Sequence, residues 1–247
     1  MTTRMQRADL STATRLLERQ WTTLRTWLGW IIDDDDEGLW PTPDSPSVLP
    51  GFTIAELTAH LGRAMDALAV THAAEPGTVP LTLAEYLGTY PDRAKEIAQV
   101  TRELAAEIAP APLAAVDEMA AAAFARLAEL GPEDRVVQAR RAPITLSDMV
   151  VSRLIELVVH ADDLARSVPP RPGERPVDAG ALQFVAEALL DIVVTRGGWS
   201  LELVDPLLWV RLATGRIPYD VDRLSLAVRA RFTSDSVPDL GKILPLL

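Results

Sequence analysis

Residues 145–168 read TLSDMVVSRLIELVVHADDLARSV, and this stretch predicts a long helix at the centre of the fold. Thr145 and Asp148 stand three residues apart at its start, the spacing at which a side chain caps the free N–H groups of a helix. Beyond Arg153 most of the circumference is apolar, which is typical of a helix buried on nearly all sides. The helix is predicted to end near Val168, and its few polar side chains must face other protein.

Segments before this helix carry helical signals of their own. Residues 8–30 place leucines and tryptophans at spacings that suit one helical face. Thr53–Glu56 and Thr82–Glu85 have the capping-box form that opens a helix, and Pro91 is expected to kink or restart the second of these. Residues 113–130 predict a further helix. The first two-thirds of the chain therefore predict a bundle of four or five helices.

The pattern changes after PPRPGERP, residues 169–176, whose prolines and glycine predict a stiff linker. Residues 178–195 predict one more helix. Residues 200–204 and 226–232 alternate apolar and polar side chains, as strands do. In the second strand, one side would carry Leu226, Val228, Ala230 and Phe232.

The predicted fold class is mainly α, an up-and-down helical bundle followed by a small α+β module. We expect the bundle to span residues 1–168, the linker 169–177 and the module 178–247. The acidic run at 33–37 lacks the alternating ligands of a calcium loop, so we interpret it as a solvated turn. The proline-rich segment 39–52 predicts an extended connection.

Composition and charge exclude several classes of function. The formal net charge is −11, which argues against a nucleic-acid binder, because phosphate binding needs clustered Lys and Arg. The chain has no cysteine, so any sulfur chemistry must come from a cofactor. The start of the chain lacks the pattern of a signal peptide, and no apolar run reaches the length of a membrane span. These features predict a cytoplasmic protein.

The central helix carries a candidate metal site. Glu156, His160 and Asp163 fall at i, i+4 and i+7, so they lie along one strip. Burying a carboxylate with an imidazole is costly unless each finds a partner, and a divalent cation suits both. His60 lies beside the apolar stripe of the second helix and can supply a third ligand, whereas His72 is expected at the surface. A simple hydrogen-bonded or salt-bridged pair remains an alternative.

Two stretches resemble a known family. PGFTIAELTAHLGRAMDAL, residues 50–68, and RLIELVVHADDLARSV, residues 153–168, are similar to the histidine motifs of the DinB-like, mycothiol-dependent maleylpyruvate isomerase family. The resemblance covers about residues 10–168 and implies a DinB-like bundle. The metal triad that it implies falls on His60, Glu156 and His160, and Asp163 matches the family's aspartate after the second histidine.

The tail resembles a second kind of domain. LELVDPLLWVRLATGR, residues 201–216, is similar to the C-terminal part of sterol-carrier-like domains, although the module is shorter than a full fold of that type. Family members that isomerise maleylpyruvate hold the substrate carboxylates with an arginine of this domain. The resemblance therefore implies that role for Arg216, with Arg211 as the second candidate.

The function expected from these residues is a thiol-dependent metalloenzyme. Three protein ligands leave a zinc ion one open position, where a small thiol such as mycothiol would bind. The bound thiol would attack an electrophilic substrate, and the protein would be an isomerase or a transferase. Asp163 and Arg153 would orient a ligand or neutralise a carboxylate, and Trp40 would line the pocket. The alternatives are a non-catalytic protein that binds lipid or another apolar ligand, and a salt-bridged bundle that acts through a protein partner. A monomer or homodimer is expected.

Overall fold

A computed structural model describes residues 9–32, 42–90, 93–170, 173, 175–232 and 234–247. Helices dominate these residues, which confirms the mainly α fold class. In chain order the helices are α1 (Leu10–Ile32), α2 (Ile54–Ala69), α3 (Leu83–Leu87), α4 (Ala94–Ile108), α5 (Pro112–Leu130), α6 (Leu146–Ser167), α7 (Ala179–Gly197), α8 (Pro206–Ala213) and α9 (Val221–Ala227). The strands are β1 (His72–Ala73), β2 (Val136–Gln138), β3 (Pro143–Thr145), β4 (Leu201–Leu203) and β5 (Val228–Ala230).

Helix α6 lies at the centre of the fold. Its N-cap Thr145 accepts a hydrogen bond from the backbone N–H of Asp148, and side chains on every face of the helix are buried. It packs against α1, α2 and α7. The prediction of a central helix surrounded by protein is confirmed, and its polar strip faces α2 and the C-terminal segment.

Helix α2 brings the second motif to α6. The capping box is present: the Thr53 hydroxyl accepts from the Glu56 N–H, and the Glu56 carboxylate accepts from the Thr53 N–H. The opposite side of α2 lies close to α5, where a Cβ at Gly62 would come within 2.9 Å of Val116 Cγ1. A glycine at this position therefore permits a close approach of the two helices. The register of α2, and with it the position of His60, depends on this packing.

A small antiparallel sheet in the order β1-β2-β3 flanks the bundle. The sequence did not predict it, because strands of two or three residues are too short to show alternation. The turn between β2 and β3 carries Arg140 and Arg141. His72 in β1 is exposed, as predicted.

The C-terminal segment packs onto the bundle through α7, which contacts α1 and α6. The helix predicted at 178–195 is α7, capped by Asp178, and the strand predicted at 200–204 is β4. The strand predicted at 226–232 is wrong over much of its length. Asp220 caps the helix α9, which runs to Ala227, and only Val228–Ala230 pair with β4.

The side chains of that wrongly predicted strand do not share one buried face. Leu226 lies in α9 with 63% of its surface exposed, and Phe232 is 55% exposed, whereas Val228 is fully buried. The division of the chain at residues 169–177 stays a prediction. The acidic run at 33–37, Trp40 and Pro91 lie outside the described residues.

A helix that spans a bilayer is about 20 residues long and mostly apolar. Among the described residues no single helix is both long and apolar enough to cross a bilayer, and the one pair that passes jointly, α4 with α5, is bent by 118°.

Candidate metal centre

Three side chains from two helices converge inside the bundle. His60 projects from α2, and Glu156 and His160 project from α6. Oε2 of Glu156 lies 3.2 Å from Nε2 of His60 and 3.3 Å from Nε2 of His160. One ligand atom from each of the three residues falls within 4.8 Å of the others. This is the cluster that the helical spacing and the apolar stripe of α2 predicted.

The two distances to Oε2 of Glu156 are those expected between ligands of a tetrahedral metal ion. Two ligand atoms at about 2.05 Å from a tetrahedral zinc ion lie about 3.3 Å apart, close to the two nitrogen–oxygen distances of the cluster. Two imidazole nitrogens with a carboxylate oxygen form a donor set that zinc accepts in catalytic sites. The three residues present therefore suit the ion that the sequence predicted.

His160 faces a carboxylate on each side of its ring. Its Nδ1 lies 3.0 Å from Oδ2 of Asp163, while its Nε2 faces Glu156. A neutral imidazole carries only one N–H, so it can donate to one carboxylate alone. With both carboxylates ionised, the arrangement requires either a protonated His160 or a cation that binds Nε2 and Glu156 together.

His60 is held differently. Its ring lies edge-on to the His160 ring, with the centroids 4.6 Å apart, and edge-on to Phe52 at 6.0 Å. Its Nδ1 is buried and has no hydrogen-bond partner among the described residues. Both histidines contact Glu156 through Nε2, but only His160 has a second carboxylate, Asp163, on its Nδ1.

The pKa values follow from burial and these contacts. Burial lowers the pKa of His60, and its contact with Glu156 opposes that effect only in part. For His160, burial is outweighed by hydrogen bonds to Asp163 and Glu156, so its pKa is raised. For Glu156, burial is outweighed by the two histidines and by the charge of Arg153, which hold its pKa well below the usual range. The cluster therefore favours an ionised Glu156.

Asp163 links the cluster to the C-terminal segment. Its Oδ2 accepts a hydrogen bond from Nε of Arg216 at 3.0 Å, in addition to its contact with His160. Nη1 of Arg216 donates to the carbonyl of Thr214 at 2.7 Å. Arg216 thus lies close to the site with two of its N–H groups already used, and its expected role in holding substrate carboxylates stays a prediction. Arg211 instead forms a two-bond ion pair with Asp162.

Arg153 lies one helical turn before Glu156 and is 4% exposed. It donates to the hydroxyl of Tyr90 and to the carbonyl of Ala64. Burial raises the pKa of Tyr90, and the charge of Arg153 lowers it only in part. The structure therefore puts Arg153 beside the cluster, on the strip where the sequence predicted it.

A cavity of about 570 Å³ opens beside the cluster and is lined by all three of its residues. Phe52, Ile155 and Val159 give it an apolar wall, and Arg153 and Arg216 also line it. Sequence reasoning missed several other lining residues, among them Tyr90 and Arg141. Helical periodicity could not identify them, because Tyr90 follows α3 and Arg141 lies in the short β2–β3 turn. The predicted contribution of Trp40 lies outside the described residues.

Comparison with known proteins agrees with the geometry. Residues 17–165 match a family described as the mycothiol maleylpyruvate isomerase N-terminal domain. No curated protein and no solved structure gives a match. The matched segment spans more than half of the 247 residues and contains all three residues of the cluster. The chain therefore belongs to the DinB-like, mycothiol-dependent maleylpyruvate isomerase family.

Proposed function

We propose that this protein is a zinc-dependent transferase or isomerase that uses a small thiol, mycothiol, to act on small electrophilic substrates. The observation that carries the proposal is the convergence of His60, Glu156 and His160 beside a cavity of about 570 Å³. Cavities of this size accommodate small-molecule ligands. The family match at the level of the bundle supports a mycothiol-related activity.

The three ligands would leave the metal a position that faces the cavity. A bound zinc ion lowers the pKa of a thiol that coordinates it, so that a thiolate is present at neutral pH. The absence of cysteine from the chain is compatible with this chemistry because the sulfur comes from the cofactor. The apolar wall formed by Phe52, Ile155 and Val159 would limit the access of water to the reacting atoms.

Residues behind the ligands would fix their orientation. Asp163 accepts from Nδ1 of His160, so Nε2 would be the atom that binds the metal. Arg216 holds the same Asp163 oxygen. Arg153 lies near Glu156 and favours its ionised form. We propose that Asp163, Arg216 and Arg153 position the metal ligands. Trp40 stays a candidate for the wall of the pocket.

Metal analysis tests the first part of the proposal. We expect about one zinc ion per chain in the purified protein, measured by elemental analysis, and a large loss of metal in His60→Ala and Glu156→Ala. His72→Ala is the matched control, because His72 is an exposed histidine outside the cluster. If all four proteins contain the same amount of metal, the cluster does not bind it, and the three residues form only a structural salt-bridge network.

Turnover tests the second part. Zinc-loaded protein should convert maleylpyruvate, or consume another small electrophile, only when mycothiol is present. Chelation should abolish the reaction, and added zinc should restore it in the wild type but not in Glu156→Ala. Turnover that survives chelation, or that needs no thiol, would contradict the proposal.

The proposed setting is the cytoplasm, with a small-molecule substrate and a small thiol as ligands. The net charge of −11 supports a protein that does not bind nucleic acid. We propose a monomer or homodimer, which the sedimentation coefficient would establish.

A further inference from the structure

Arg141 lies in the turn between β2 and β3 and lines the cavity. Its guanidinium carbon lies 4.1 Å from the centroid of the Tyr90 ring. Stacking on an aromatic ring holds a guanidinium in place without occupying its N–H groups. Arg141 forms no side-chain hydrogen bond or ion pair with the described residues, and its Nη1 is buried without an acceptor.

The other arginines of the cavity are committed to partners. Arg140 pairs with a carboxylate of α2, Arg93 with one on α4, and Arg216 with Asp163. Arg63 donates to a backbone carbonyl and to a threonine hydroxyl of α4, and Arg153 has the partners described above. Within the described parts of the chain, Arg141 is thus the cavity arginine whose side-chain donors have no protein acceptor.

The cavity is positive although the chain is acidic. The net charge of the chain is −11, yet six arginines line the cavity with only three acidic residues, and one of these, Glu156, belongs to the metal cluster. Burial, followed by the charges of Arg140 and Arg141, lowers the pKa of Arg63, so these guanidinium groups lie close enough to disfavour one another's charge. An anion would relieve that repulsion.

We propose that Arg141 binds an anionic group, a carboxylate or a phosphate, of the small molecule that enters the cavity. A guanidinium presents N–H groups in a planar fork that matches two oxygens of either anion. Tyr90 connects this site to the metal cluster, because its ring supports Arg141 and its hydroxyl accepts from Arg153. Anion binding at Arg141 does not depend on the function proposed above. Only the further step, in which the other end of the ligand reaches the metal cluster, rests on that function.

Titration calorimetry with malonate and with inorganic phosphate as separate probes tests the site. Arg141→Gln should weaken binding of the preferred probe by about tenfold to a hundredfold, the loss typical of a charge-assisted hydrogen bond. Arg140→Gln is the matched control, because it removes the same charge from the adjacent residue, which is already paired with Asp66. We expect a loss of at most about fivefold there. The probe that binds more tightly identifies the anionic group.

Two further arms separate this site from the metal. Chelator-treated wild-type protein should still bind the probe, and Arg141→Gln should keep the wild-type metal content and melting temperature. If Arg141→Gln and Arg140→Gln weaken probe binding equally, the loss comes from the overall positive charge of the cavity, and the proposed site at Arg141 is wrong. The proposed site would also be overturned if neither probe binds the wild type. The same holds if chelation removes probe binding while Arg141→Gln leaves it intact. A protein without metal or turnover that still binds the probe through Arg141 would contradict only the proposed enzyme.

Discussion

Nδ1 of His160 lies 3.0 Å from Oδ2 of Asp163, and both residues are buried on α6. The carboxylate accepts a hydrogen bond from Nδ1–H of His160, so the ring presents Nε2 toward Glu156. The same Asp163 oxygen is held by Nε of Arg216 from the C-terminal segment. Ring orientation at the site therefore depends on residues that come from distant parts of the chain.

Asp163→Asn should weaken zinc binding by about tenfold to a hundredfold while the saturating stoichiometry stays unchanged, because carboxylates behind a ligand histidine contribute affinity on that scale. Competition with a chromogenic chelator measures the affinity. Asp162→Asn is the control, since Asp162 is a neighbouring buried aspartate that pairs with Arg211 and not with His160. Equal losses in the two variants would show that general destabilisation of α6 is the cause.

Arg216→Gln should weaken zinc binding by less than about tenfold, because Asp163 keeps its contact with His160 and lies 3.9 Å from Arg166. In an Asp163→Asn background the same change should have almost no further effect, since the two residues act as one unit. A double-mutant cycle on the zinc dissociation constant measures this coupling. Additive losses would mean that Arg216 acts on the site by another route.

Glu156→Gln should change the acid stability of the metal-free protein. The folded-state pKa of Glu156 is held well below its usual value, so its ionised form stabilises the fold above about pH 4.5, and this contribution disappears as the pH falls through the folded pKa. The difference in unfolding free energy between wild type and Glu156→Gln should therefore narrow from pH 6 to pH 3, measured by urea titration at each pH. The exposed Glu118→Gln on α5 should follow the wild type throughout. A difference independent of pH would contradict this assignment.

Gly62→Ala should destabilise the fold by about 1–3 kcal/mol through overpacking, although alanine favours a helix. The added Cβ would lie 2.8 Å from Met119 Sδ and 2.9 Å from Val116 Cγ1, and the branched valine cannot move aside easily. Urea unfolding measures the change. Gly29→Ala in α1 meets only the flexible end of Arg25 and should be neutral or stabilising by up to about 1 kcal/mol. An equally neutral Gly62→Ala would mean that α2 and α5 can separate without cost.

The sequence could predict the cluster because its geometry is largely local. Glu156 and His160 are one helical turn apart on α6, and a helix of fixed pitch determines that relationship. His60 could be included because it borders the apolar stripe of α2, and a bundle must turn such a stripe inward. The resemblance to the family selected the same three residues.

The remaining contacts depend on tertiary packing that no local pattern describes. Arg216 reaches Asp163 from 53 residues away, and Arg141 meets Tyr90 only because short strands bring a turn to the end of α3. The strand predicted at 226–232 is confirmed only at Val228–Ala230, because α9, which Asp220 caps through local hydrogen bonds, extends to Ala227. The alternation of apolar and polar residues in this short segment was a weaker indicator of its structure than the helix cap at Asp220.

The order in which the proposed ligands are synthesised has a consequence for how the protein would acquire its ion. His60 and Glu156 are separated by 96 residues, so at ribosomal rates of about 5–20 residues per second the first histidine waits roughly 5–20 s for its co-ligands. A nascent fragment that ends before α6 has one imidazole of the three and cannot form the chelate. Loading with zinc would thus mark completion of the bundle, and a truncated chain would not retain the ion.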